Sequence, residues 1–234
     1  MKRVAIVQSN YIPWKGYFDL IASVDEFVLY DQVQYTKNDW RNRNLIKTPT
    51  GLTWLTIPVG TSLDRAISEV YLPRNQWEKK HWKALEYNYS KSRYFRENAD
   101  WISNLYLNNK LETLSELNKS FIIKICDFLG IKTTISDSTN FRTSGNRVEK
   151  LIEICRQTSA DVYITGPSAR KYLSEAMFQD SNIRLEYFSY DNYPNYEQLW
   201  GEFAHNVSTL DLIFNCGEDS PDFLSRKTYR KSNL

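Results

Sequence analysis

The sequence predicts an α/β protein built on a doubly wound, mainly parallel, Rossmann-like sheet, with a β-hairpin and a helical insertion at about residues 75–130. Three observations carry this. Short apolar runs alternate with helical periodicity near both ends of the chain. A strand–loop–helix–strand unit is complete within about 28 residues of the amino end, the size of a βαβ module. The middle of the chain shows helical spacing alone. The 234 residues suit one domain over 1–234, closing in a basic tail at about 220–234.

Val4-Ala5-Ile6-Val7 reads as a buried strand ending at Gln8. A loop with Pro13 follows, then a helix over 16–24 with Phe18, Ile21 and Ala22 at helical spacing, then a strand over 26–31. Residues 43–59 read as a hairpin turning at Pro49-Thr50-Gly51. Helices are expected over 76–90 and 93–129, the second with Leu114, Leu117, Phe121, Ile125 and Phe128 on one stripe and a stop at Gly130. Alternation then resumes. Strands are expected at 132–136, 161–165 and 183–188, with helices at 144–158 and 169–173 between them. Open α/β sheets bind ligands at the carboxyl ends of their strands, which here are Gln8, Asp31, Ser136, Thr165 and Ser189.

Charge and cysteine narrow the partners. Thirty Lys+Arg against 28 Asp+Glu leave +2, without the clustered basic face that nucleic acid requires. No run reaches the roughly 18 apolar residues of a membrane span. The apolar run that starts at Val4 stops at Gln8 with no small-residue cleavage site, unlike a signal peptide. Cys126, Cys155 and Cys216 lack paired spacing, so neither a disulfide framework nor a zinc site is expected, and a cytoplasmic location fits. The tail cations Arg226, Lys227, Arg230 and Lys231 suit a solvated end, with weak attraction to an anionic surface. The unusual quantity is aromatic: seven Trp, 16 Tyr and 11 Phe against eight Gly.

Three segments concentrate chemistry. Residues 8–18 place Gln8, Asn10, Tyr11, Trp14 and Gly16 between a strand and a helix amino terminus, a position suited to an anion. A tightly packed β–α corner explains the same residues as well. Residues 31–44 crowd Asp31, Gln34, Tyr35, Trp40, Arg41, Arg43 and Asn44 into one aperiodic stretch. Amides beside flat rings suit sugars, and an arginine fork suits phosphate or carboxylate. Residues 203–217 put Ser208, Asp211 and Asn215 on one polar stripe, although Ser208-x-x-Asp211 also reads as a helix cap. Of two histidines, His81 lies among Lys79, Lys80 and Lys83 and reads as solvated, which leaves His205 as the acid–base candidate. Gly166-Pro167-Ser168 ends a strand and opens a helix, a weak anion signal. No metal site is expected.

These blocks resemble the WbqC-like family, small bacterial proteins encoded among genes for surface polysaccharide and O-antigen synthesis. The resemblance runs through Gln8-x-x-Tyr11-x-Pro13-Trp14-x-Gly16-Tyr17-Phe18, Asp31-x-x-Gln34-Tyr35, Trp40-Arg41-Asn42-Arg43-Asn44 and Trp54-Leu55-x-x-Pro58-Val59. It continues through Tyr163-x-x-Gly166 and Ser208-x-x-Asp211-x-x-x-Asn215-x-Gly217, and departs at Ser9, where the family often has Pro. It implies transfer of an acyl or aminoacyl group to the amine of a nucleotide-linked sugar in O-antigen or lipopolysaccharide biosynthesis. For that reaction His205, Asp31 and Asp211 are the catalytic candidates. Gln8, Asn10, Gly16, Gln34, Asn44, Gly166 and Ser208 are assigned to binding, Arg41 and Arg43 to the diphosphate, Tyr11 and Trp14 to stacking. No tightly bound cofactor is expected beyond an acyl donor, coenzyme A or a carrier-protein thioester; the oligomeric state stays open. Two alternatives remain. A nucleotidyltransferase would carry His-x-Gly-His where this chain has Trp14-Lys15-Gly16-Tyr17. A glycan-binding or assembly protein would use the aromatic residues without turnover.

Overall fold

Val4, Ala5 and Ile6 are buried on both faces, as a central parallel strand requires, and form β1 (Arg3–Val7) in a computed structural model that describes residues 1–224. The tail cations at 226–231 lie outside the described residues. An irregular loop leads to α1 (Lys15–Ala22), enclosed from Lys15 to Ile21, and then to β2 (Glu26–Leu29), parallel to β1 with Ala5 opposite Phe27. Strands β3 (Arg43–Thr48) and β4 (Gly51–Thr56) form the expected antiparallel hairpin. Its turn places Gly51 at φ 113°, which a side chain rarely tolerates.

Helices α2 (Trp77–Tyr89), α3 (Phe95–Leu107) and α4 (Leu114–Phe128) fill the middle. The single helix expected over 93–129 is therefore two. Two local signals explain the break. Asn109 turns its amide back onto the carbonyls of Leu105 and Tyr106, at 2.7 and 3.0 Å, closing α3. Thr113 and Glu116 then form a reciprocal capping box that opens α4. Leu114, Leu117, Phe121 and Ile125 are fully buried on the expected stripe, and Gly130 ends the helix at φ 70°.

The second half follows as β5 (Thr134–Asp137), α5 (Arg147–Gln157), β6 (Val162–Thr165), α6 (Glu175–Gln179), β7 (Arg184–Tyr187) and α7 (Thr209–Cys216). A 3-10 turn, Pro167–Lys171, stands where a short helix was expected, and α6 was not anticipated. All five sheet strands are parallel in the order β5-β2-β1-β6-β7. One face packs Phe18, Ile21, Phe27, Ile164 and the helices α1 to α4; the other packs Val4, Ile6 and Val28 on Leu151, Ile154 and Phe178 of α5 and α6. The sheet is doubly wound, and the order in which its strands are added reverses between β1 and β6, where the carboxyl ends open a crevice.

One histidine reading changes. His205 precedes the Ser208 cap of α7 and is exposed. His81 is buried, not solvated. Its Nε2 faces the Thr56 carbonyl at 3.2 Å and must donate there, so Nδ1 accepts from the Tyr11 hydroxyl at 2.8 Å, which in turn accepts from Tyr106 at 2.7 Å. The helix face among lysines is real; the ring points the other way, into a nest with Trp77 and Tyr106.

Burial pushes the His81 pKa down to about 4 from 6.5. A base with a depressed folded pKa contributes stability that is full above 6.5 and lost as pH falls toward 4. Between pH 7 and 4.5 this costs about 2 kcal/mol, so His81→Gln is predicted to be less stable at pH 7 but to lose less on acidification, read by urea unfolding at both pH values. A steric prediction concerns Gly16. A Cβ there would lie 2.3 Å from the Trp14 indole, which is itself held between Tyr190 and Tyr193. Gly16→Ala is expected to cost about 1–3 kcal/mol and to shift the tryptophan fluorescence of the folded state.

Candidate functional site

The crevice between β1 and β6 widens into a cleft of about 1280 Å³. Gln8 follows β1, Gln32 and Gln34 follow β2, Thr165 and Gly166 close β6, and Tyr190 follows β7; each reaches the cleft because parallel strands all end on the same edge. Arg147 and Lys150 enter from the first turn of α5, and Lys171 and Tyr172 from the segment after β6.

Its electrostatics are one-sided. Arg41, Arg147, Lys150 and Lys171 line the cleft, and among the described residues no Asp or Glu does. Arg147, Lys150 and Lys171 form no ion pair among the described residues. Arg147 lies 3.6 Å over the Tyr172 ring, which holds the guanidinium in place without cancelling its charge. Helix amino termini disfavour cations, yet α5 opens with two, three residues apart on one face of its first turn. That arrangement makes sense for an external anion. Burial raises the Tyr30 hydroxyl pKa and pushes that of Tyr190 up to about 12, so both phenols stay protonated and can donate. Among the described residues no group of three His, Cys, Asp or Glu is arranged to hold a metal.

The candidate residues divide sharply. Gln8, Gln34, Arg41 and Gly166 line the cleft. Arg41 reaches it while donating Nη1 to the Ser9 carbonyl at 3.2 Å and to Asn10 Oδ1. Gln34 donates to the Leu63 carbonyl at 3.1 Å. Arg43 lies elsewhere, 4.1 Å over the exposed Trp54 ring. Asp31 is buried beneath the cleft edge, accepting the Ser9 N–H at 2.8 Å and the Ser115 hydroxyl. Tyr11 is wholly enclosed, bonded to His81 and Tyr106, and offers no face to a ligand. Gly16 is covered by Trp14 rather than open to a ligand. Asn10, Trp14 and Asn44 belong to a second, smaller hollow.

Ser208 and Asp211 are structural in their contacts. Ser208 caps α7, accepting the Leu210 N–H at 3.2 Å. Asp211 is fully buried; Tyr89, Tyr196 and Gln198 donate to its carboxylate at 2.8–2.9 Å, and burial raises its pKa. His205 packs on Phe203 away from the cleft, its pKa lowered by burial and by the nearby Lys15 charge. The cleft residues that sequence reasoning passed over are Arg147, Lys150, Lys171, Tyr172 and Tyr190. A signal existed for the first two: a basic pair three apart at a capped helix start.

The family description "WbqC-like protein family" matches residues 8–223. A protein of Mycobacterium tuberculosis (strain ATCC 25618 / H37Rv), named "Uncharacterized protein Rv1507c", is 50% identical over 226 residues, covering 96% of this chain and 98% of that protein. No solved structure matches. The sequence blocks, the matched span and this relative agree, and the chain belongs to the WbqC-like protein family.

Proposed function

We propose that the protein is a transferase that binds a nucleotide-linked amino sugar in the cleft and acylates the sugar amine during surface-polysaccharide synthesis. One observation carries this: among the described residues, four cations and no carboxylate line a large crevice at the point where the sheet order reverses. A diphosphate supplies the missing negative charge, and the crevice has room for a base and a sugar beside it. Arg41, Arg147, Lys150 and Lys171 bind phosphate oxygens; Tyr172 and Tyr190 offer ring faces; Gln8 and Gln34 meet hydroxyls. In the transfer, the amine nitrogen attacks the thioester carbonyl carbon, the N–C bond forms and the C–S bond breaks. The nitrogen's surplus proton leaves with the thiolate as a thiol. The protonated Tyr190 hydroxyl is suited to steady the oxyanion of the tetrahedral intermediate. The reaction belongs in the cytoplasm, where nucleotide sugars are made, and no described helix is long and apolar enough to cross a membrane.

A second reading, a glycan-binding protein without turnover, is favoured by one observation. Among the described residues the cleft lining holds neither a histidine nor a carboxylate to accept a proton.

Calorimetry with UDP and dTDP tests the binding step. Arg147→Ala and Lys150→Ala are each expected to weaken affinity about tenfold or more, with binding falling as salt rises. Unchanged affinity in both variants would remove the cationic cleft from the reading. Mass spectrometry of UDP- and dTDP-amino sugars incubated with acyl-coenzyme A or acyl-carrier thioesters tests the chemistry. An acyl mass increment is the expected result. Binding without any increment selects the glycan-binding reading, and pyrophosphate released from a nucleoside triphosphate with Mg²⁺ selects nucleotidyl transfer.

A further inference from the structure

A separate hollow of about 180 Å³ shares no lining residue with the cleft. Two indoles, Trp14 and Trp40, and the ring of Pro13 form its apolar walls, and Asn10, Asn44 and Asn206 supply its polar atoms. Among the described residues no charged residue lines it.

Both indoles are held from behind. Trp14 packs on Tyr190 and Tyr193 at 5.4 and 5.7 Å between ring centroids, and Trp40 on Trp54 at 5.3 Å. Preorganised aromatic faces cost little entropy when a ligand stacks on them. The amides differ in what they have left to offer. Asn44 is spent, donating to the Tyr11 and Ile12 carbonyls and accepting from its neighbour's N–H. Asn10 gives its oxygen to Arg41, which can only donate, so its NH₂ remains for another acceptor. Asn206 is exposed and has no hydrogen bond among the described residues.

We propose that this hollow is a second binding site, one that takes a neutral pyranose ring stacked on Trp14 and Trp40 and hydrogen-bonded by Asn10 and Asn206. A pyranose carries C–H groups on its faces and hydroxyls around its rim, which matches paired indoles edged by amides. An acyl chain would satisfy the rings but leave the amides unpaired, and a phosphate would find no cation. The site is linked to the cleft through the Arg41–Asn10 hydrogen bond, since Arg41 lines one and Asn10 the other. The inference goes beyond the nucleotide-sugar reading and does not depend on it.

Saturation-transfer NMR with methyl glycosides of glucose, galactose, mannose, rhamnose and fucose is the test. Transfer to ring C–H protons is expected with wild type for at least one glycoside. Trp40→Ala, which removes a wall, and Asn206→Trp, which fills the hollow from an exposed position, are each expected to cut the signal at least fivefold. Circular dichroism confirms folding, and the exposed Asn206 keeps the test usable if Trp40→Ala unfolds. No transfer from any glycoside, or transfer retained in the folded variants, overturns the proposal. So does transfer from a short fatty acid, lost in the same variants, when no glycoside gives any. UDP titrated separately keeps the two readings distinct: glycoside binding without UDP binding refutes the cationic cleft alone.

Discussion

Residues 8–14 form a loop through the interior with no helix or strand ladder of its own, so its backbone polar groups must find partners elsewhere or lose about 1–3 kcal/mol each. Most of the partners are recruited from distant segments. Asp31 accepts the Ser9 N–H, the Trp40 carbonyl accepts the Tyr11 N–H, and Asn44 donates to the carbonyls of Tyr11 and Ile12. Tyr17 donates to the Gln8 carbonyl, and the Thr209 N–H at the start of α7 to the Pro13 carbonyl. Asn118 of α4 reaches the Ser9 hydroxyl and the Arg41 carbonyl. Sheet, hairpin segment, helical layer and α7 therefore meet on one loop. Ile12 sits there at φ 37°, a conformation costly for a β-branched side chain, and it persists only because those contacts over-determine it.

That constraint also places both candidate sites. With the loop pinned, Gln8 is presented at the sheet edge, and Arg41 is held by the Ser9 carbonyl and Asn10 where it faces the cleft. Asn10 and Trp14, two and six residues beyond Gln8, line the hollow. One seven-residue segment thus forms the partition between a charged cleft and an uncharged one. The irregular stretch after β7 seals its outer side. Lys15 is buried there with its ammonium 5.2 Å from the Tyr193 and Tyr196 ring centroids and bonded to the Pro194 carbonyl, and burial brings its pKa down to about 8.

The same account explains what could be read from the sequence. Strand and helix periodicity is a local property, so the doubly wound sheet, the hairpin and the stop at Gly130 were legible, and strand ends led to the cleft. The division of polar residues between ligand and scaffold was not, because it depends on partners 13 to 122 residues away. Asp31, Asn44 and Asp211 have the composition of site residues, but each is consumed in satisfying buried donors and acceptors. Tyr11 and His81 likewise complete each other's hydrogen bonds, and neither segment alone betrays the other. The break between α3 and α4 was legible from the capping pattern at Thr113 and Glu116 and was masked by an apolar stripe running through it.

Arg147, Lys150 and Lys171 enter the cleft without an acidic partner among the described residues, unlike several cations around the sheet. Lys2 meets Glu26, Arg3 meets Glu186, and Lys119 meets Asp137, all along the same sheet. Had the cleft served only solubility, a carboxylate among its lining residues would have lowered the repulsion between Arg147 and Lys150 and suited the α5 dipole better. Instead Arg147 is fixed by an uncharged ring, a contact that orients a guanidinium while leaving its positive field intact; Arg41, held by carbonyl oxygens, is the one of the four with an acidic neighbour, Asp39 at 3.7 Å. A fold that orients cations without neutralising them keeps an electrostatic deficit in a preformed crevice, a deficit that an anion bound there would relieve.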